Sequence, residues 1–133
     1  MNKLYQQNQI KFNEEQSNTA AFVLCHPIKS ALCPISKELP PCLFPLCNIP
    51  VLFYNLNWIK NNTDKIYLIC QDSHKSIIQK YINQWQKTIT FKHIEILSVS
   101  DQNYQINSIG DSIRWIYSSS SVVLNFKNCI IVP

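Results

Sequence analysis

Leu24-Cys25-His26-Pro27-Ile28-Lys29-Ser30-Ala31-Leu32-Cys33-Pro34-Ile35-Ser36 follows a short apolar, β-prone run from Thr19 to Leu24, and its reading decides that of the whole chain. The run is a strand by composition, and the quoted stretch is the loop that leaves it. That loop holds no glycine; the single glycine of the 133 residues is Gly110. Backbone N–H groups converge on a phosphate only where no Cβ intervenes and φ is free. Pro27 removes a donor and fixes φ, while His26 and Lys29 bring side chains into the same space.

Outward from the loop the sequence alternates between strand and helix signals. Lys65 to Cys70 (KIYLIC), His93 to Val99 and Asn128 to Val132 join Thr19 to Leu24 as four expected strands. Between them, Ser73 to Trp85 places His74, Ile77, Ile78, Tyr81, Ile82 and Trp85 on one helical stripe, with Asp72 or Ser73 as the cap. Val51 to Asn61 opens after Pro50 and turns Val51, Leu52, Leu56 and Ile59 inward; Ser108 to Tyr117 carries Ile109, Ile113 and Ile116 on one face. This order predicts an α/β fold with a doubly wound, mainly parallel, Rossmann-like sheet. Ligands of such sheets sit beyond the carboxyl ends of the strands, where the Cys25 to Pro45 loop emerges.

Composition bounds the function. With 46% hydrophobic and 11% aromatic residues the chain can bury one core, in residues 19–133, after a polar tail from Met1 to Asn18 that is expected to be flexible. The net charge of +4 comes from twelve basic and eight acidic residues scattered singly, which argues against direct nucleic-acid binding. No stretch reaches the roughly 18 apolar residues of a membrane helix, and the polar N-terminus has no signal-peptide core, so a cytosolic location without membrane partners is expected. Of the six cysteines, Cys70 and Cys129 lie in apolar runs as small hydrophobes. Cys25, Cys33, Cys42 and Cys47 lack C-x-x-C spacing, and zinc on Cys25, His26 and Cys42 or Cys47 is the weaker reading; no metal or cofactor is expected.

Leu24, Leu32, Pro34, Ile35 and Ser36 are in register with L-A-G-G-x-G-T-R-L-x-P-L-T, the first loop of sugar-nucleotide transferases, which the chain therefore resembles. His26, Pro27 and Lys29 stand where that pattern has glycines, and Ala31 where it has its arginine. Pro40-Pro41-Cys42-Leu43-Phe44-Pro45-Leu46, with Asn48 and Pro50-Val51-Leu52, resembles the second motif, P-K-x-L-L-P-V-x-x-x-P-L-I, with Pro41 in place of its lysine. Within that superfamily, Leu32 to Pro40, Val51 to Tyr54 and Ser108-Ile109-Gly110-Asp111-Ser112-Ile113-Arg114 most resemble the epsilon subunit of eukaryotic translation initiation factor 2B, whose last segment reads S-L-G-D-x-L-R.

This resemblance implies a nucleotidyltransferase-like fold, here an incomplete domain, with its phosphate loop (His26, Pro27, Lys29, Ala31, Pro41) vestigial and no catalytic residues. It implies a non-catalytic module of the guanine-nucleotide exchange factor for initiation factor 2. Such a module acts in assembly and regulation, with gamma-type subunits and initiation factor 2 as partners. The family's β-helix and helical exchange domain are not represented in these 133 residues. A working transferase of the mannose-1-phosphate guanylyltransferase type, using Lys29 as a point charge, and a truncated paralogue without function are the alternatives. Four strands of a larger sheet would leave an edge unpaired and the fragment marginally soluble.

Several residues carry plainer readings. His26 is expected to be an exposed loop histidine, and Asp111 with Arg114 a surface or capping pair. Trp58 and Trp85 are expected in the core. Trp115 falls off the Ile109/Ile113/Ile116 stripe and is expected to be an exposed partner contact.

Overall fold

The computed structural model describes residues 18–26, 34–91, 93–100, 106–119 and 126–133. The expected tail from Met1 to Asn18 lies outside them except for Asn18, as do Pro27, Lys29 and Ala31. Strand β1 (Thr19–Leu24) is followed by the short helix α1 (Ile35–Glu38), a 3-10 turn at Pro41–Leu43 and a two-rung hairpin, β2 (Pro45–Leu46) and β3 (Ile49–Pro50). Helix α2 (Val51–Ile59), β4 (Lys65–Gln71), α3 (Asp72–Trp85), β5 (His93–Val99), α4 (Ile109–Ser119) and β6 (Asn128–Val132) complete the chain.

The main sheet has the order β5-β4-β1-β6 and every neighbouring pair is parallel. Registers run Ala20↔Lys65 to Leu24↔Ile69 on one side of β1 and Thr19↔Asn128 to Val23↔Val132 on the other. All six residues of β1 are buried, as expected of a central strand covered on both faces. On one face Ala21, Val23, Ile66 and Leu68 pack against Leu52, Leu56 and Ile59 of α2 and Ile78, Ile82 and Trp85 of α3. On the other, Ala20, Phe22, Leu24, Tyr67, Ile69 and Val99 pack against Ile116 of α4. Helices on both faces make the sheet doubly wound, as its sequence order requires.

Helix α3 buries the stripe the spacing predicts: His74, Ile78, Ile82 and Trp85 are enclosed, and Ile77 and Tyr81 flank them. Its neighbour on the other face departs from expectation. Ile109 and Ile113 of α4 are exposed, and Ser112, Trp115 and Ile116 face the sheet. A serine at the centre of the inner face disguised the stripe. Trp115 is accordingly half-buried against the second core cluster and not fully exposed as expected. Trp58 is 65% exposed, because Leu52, Leu56 and Ile59 fill the inner face of α2 and position 58 points away from them. Cys129, expected as a small core hydrophobe, is exposed on β6, which among the described residues pairs with β1 alone.

The hairpin was not anticipated. Cys47 and Asn48, at its turn, both have positive φ (51° and 66°), the two-residue geometry that matches strand twist. Asparagine tolerates that region; a cysteine there is strained.

Candidate functional site

The chain order β1, β4, β5 proceeds to one side of β1, and β6 then returns to the other. The point of reversal therefore lies between the carboxyl ends of β1 and β6, where open α/β sheets place their ligands. Cys25 and His26 leave β1 there, and the start of α4 lies over them.

His26 is only 6% exposed. Its Nε2 lies 3.0 Å from Ser112 Oγ, and Ser112 Oγ in turn lies 3.2 Å from the Ser108 carbonyl. A hydroxyl has one proton, and giving it to that carbonyl leaves Ser112 to accept from the ring N–H. Nδ1 is then a buried acceptor without a partner. The sequence reading of an exposed loop histidine is corrected by this contact: the imidazole is the polar plug between β1 and α4. Burial holds its pKa below the ordinary histidine value, with the Ile69 backbone carbonyl acting in the opposite direction.

The sign of the pH effect follows. An unfolded chain binds the proton near pH 6.5, the folded chain only at lower pH, so stability is present above about 6.5 and is lost as pH falls below it. The urea midpoint is expected to drop between about pH 7.5 and about pH 5.5, and His26→Asn to flatten that drop. An unchanged slope in the variant would assign the effect to another group. Asp111 and Arg114, the charges beside Ser112 on α4, are paired with each other at 3.0 Å and serve as a constant background.

The segment Ser108 to Arg114 folds as a helix start. Ser108 Oγ accepts from the Asp111 N–H (3.1 Å) and donates to Asp111 Oδ2 (2.9 Å); the same carboxylate accepts from the Asn107 N–H (3.2 Å). This is a capping box with aspartate at its third position. The Ser108 hydroxyl first, and then the Asn107 N–H and Arg114, hold the Asp111 carboxyl below the usual range. The expected capping role of Asp111 is thus present, and its main partner is Ser108. Replacing Ser108 with alanine should cost about 0.5–2 kcal/mol in denaturant melts. Gly110→Ala should instead be neutral or stabilise by up to about 1 kcal/mol, because the added Cβ meets only Ser108 Oγ at 3.6 Å. A strong loss in Gly110→Ala would mean the glycine serves close approach and not the helix.

The second loop comes back to the first. Pro41 opens the 3-10 turn, and Cys42 Sγ lies 3.7 Å from the Cys25 carbonyl oxygen. Ser36 of α1 is buried, and the Lys37 carbonyl is 3.3 Å from Nε2 of His74 in the first turn of α3. His26 and Pro41 are therefore brought to the same end of the sheet; Trp115 belongs to the packing of α4. Cys25 and Cys70 are buried in one cluster against which Cys42 packs. Among the described residues no group of three His, Cys, Asp or Glu is placed to hold a metal ion. None of their helices is long and apolar enough to cross a membrane.

A second, open cleft of about 810 Å³ lies at the opposite edge, at the starts of β4 and β5, lined by Asp64, Lys65, Gln86, Phe91, His93 and Glu95. Lys65 Nζ is 3.0 Å from Glu95 and 4.9 Å from the centre of the Tyr67 ring. It is the wrong end of the strands for a sheet ligand, and its Lys65 and Glu95 already satisfy one another.

Ser112 and Ser108 are the site residues that sequence reasoning missed. Their signal was the S-x-x-D spacing of Ser108 and Asp111, which marks a helix start and places Ser112 on the following inward position.

The sheet order and the two-sided helix cover define a Rossmann-like α/β fold, and its solved neighbours make that fold nucleotidyltransferase-like. Two solved structures share it: a UDP-glucose pyrophosphorylase complexed with UDP-glucose (TM-score 0.58, 11% identity) and a UTP-bound UGPase from Acinetobacter baumannii (TM-score 0.53, 18% identity). Each comparison covers 75% of this chain, and 40% and 41% of the respective neighbour. By sequence the chain is similar to translation initiation factor eIF2B subunit epsilon of Dictyostelium discoideum, 28% identical over 107 residues. That alignment covers 80% of this chain and 15% of the relative, so the chain spans a small part of the relative's length. No protein-family model matches.

Proposed function

We propose that the chain is a non-catalytic, nucleotidyltransferase-like module of the epsilon type, acting in assembly and regulation of the guanine-nucleotide exchange factor for initiation factor 2. The observation that carries it is the buried His26–Ser112 contact. At the end of β1, where a phosphate loop offers open backbone, this chain presents an imidazole bonded to the segment that reads S-I-G-D-S-I-R. An uncharged Pro41 in the neighbouring turn supports the same reading, since no cation stands at the position of the transferase lysine. The similarity to an epsilon subunit supplies the biological setting: the partners would be other exchange-factor subunits, gamma-type first, and initiation factor 2, in the cytosol and without nucleic acid or membrane.

Titration calorimetry with Mg²⁺ and UTP, GTP, UDP-glucose or GDP-mannose is expected to give no binding in the micromolar range. Saturable binding of any of these would overturn the non-catalytic reading and restore that of a sugar-nucleotide transferase. Tagged protein isolated from its own cells under mild salt is expected to bring gamma-type and further exchange-factor subunits with it. Recovery without them would remove the assembly role.

A further inference from the structure

We propose that Cys25 and Cys42 are a paired thiol site that a hydroperoxide closes to a disulfide, stapling the 3-10 turn to the end of β1. The two residues come from separate segments that converge. Cys25 continues β1, held by its N–H to the Ile69 carbonyl at 2.7 Å, and Cys42 reaches it from the turn with Sγ 3.7 Å from its carbonyl oxygen. Cys42 also packs against the buried cluster to which the Cys25 side chain belongs.

Their exposures set the order of events. Cys42 is half-buried and within reach of a small oxidant, whereas Cys25 is 1% exposed. The Cys42 thiolate attacks one peroxide oxygen, the O–O bond breaks, and a sulfenic acid and one water (or alcohol) result. Cys25 sulfur then attacks Cys42 sulfur; the S–S bond forms, the S–O bond breaks, and the hydroxyl leaves as water with the Cys25 proton. Two thiols lose two electrons and two protons to the peroxide. Contact with Cys42 and burial push the Cys25 thiol well up, and burial pushes Cys70 up to about 12. Closure is therefore slower than oxidation of an exposed cysteine, and Cys70 takes no part. The closed ring contains both His26 and Pro41, so oxidation would fix the two loops at the reversal point relative to each other. This site rests on the contact of Cys42 Sγ with the Cys25 carbonyl and on their shared cluster, and is independent of the epsilon-type reading.

The test uses the full chain carrying Cys47→Ser and Cys129→Ser, which removes the two thiols that are exposed among the described residues and could link molecules. After hydrogen peroxide treatment and alkylation, peptide mapping without reductant is expected to show Cys25 joined to Cys42, reversed by dithiothreitol. The thermal midpoint should rise by about 5–10 °C on oxidation and return on reduction. Addition of Cys42→Ser, a mild change at a half-buried position, should abolish both. Recovery of Cys42 as free thiol or as sulfinic acid, or its linkage to Cys33 or Cys70, would overturn the pairing.

Discussion

Trp85→Ala is expected to lower the unfolding free energy by about 3–5 kcal/mol, whereas Trp58→Ala should change it by no more than about 0.5 kcal/mol. Both tryptophans sit on helices and both carry the same apolar payload, so composition treats them alike. The fold separates them. Trp85 closes the inner face of α3, 9% exposed, with the Phe53 ring of α2 edge-on at 5.3 Å and Tyr81 at 5.5 Å. Removing it leaves a cavity between the two helices that cover one face of the sheet and forfeits the ring pairs as well. Trp58 leaves solvent on one side and nothing to collapse. A loss of several kcal/mol is a large share of the roughly 5–15 kcal/mol that such a domain possesses. Urea melts of the two variants at one pH decide it, and equal losses would refute the assigned packing of α2.

On the opposite face the largest effect should come from Tyr67→Ala, again about 3–5 kcal/mol, with Tyr67→Phe costing about 0.5–1.5 kcal/mol at most. Tyr67 is 1% exposed in the middle of β4. Its ring stacks on Phe22 of β1 with centroids 5.2 Å apart and planes 13° apart, and meets Phe126 edge-on at 6.1 Å. The neighbouring strands are thus joined by a ring stack above their ladder of parallel hydrogen bonds. Because Trp85 and Tyr67 lie on different faces and share no ring partner, the double variant should lose close to the sum of the two single losses. A much smaller loss in Tyr67→Ala would mean that α4 repacks onto the sheet.

The strands were legible because a parallel sheet buries both faces, leaving continuous apolar runs such as Ala20 to Leu24 and Ile66 to Cys70 that polar loops bound. Helix α3 was legible for the complementary reason, an unbroken apolar stripe at helical spacing. Helix α4 was not. Its inward positions include Ser112, whose polarity is matched by His26, two residues past the end of β1 and 86 residues earlier, and a periodicity count assigns that face to solvent. The same contact hid His26, since a histidine after a strand reads as a loop residue until its partner is known. The hairpin at Pro45–Pro50 escaped because its two rungs are too short to show alternation and its turn uses Cys47 and Asn48 where glycine is the usual signal. Trp58 shows a related limit: a nine-residue helix has room for only three enclosed positions, and a fourth large residue is left outside whatever its hydrophobicity.

The placement of β1 at the centre of the sheet also sets a schedule for synthesis. Thr19 pairs with Asn128, a partner made 109 residues later (128 − 19), while the partners on its other side begin at Lys65. At translation speeds of about 5–20 residues per second, one side of this fully buried strand waits roughly 5–20 s for its neighbour. During that interval the exposed ladder is a template for any other extended segment, so slower elongation between Lys65 and Asn128 should increase misassociation of the nascent chain, and a holdase bound to β1 should suppress it.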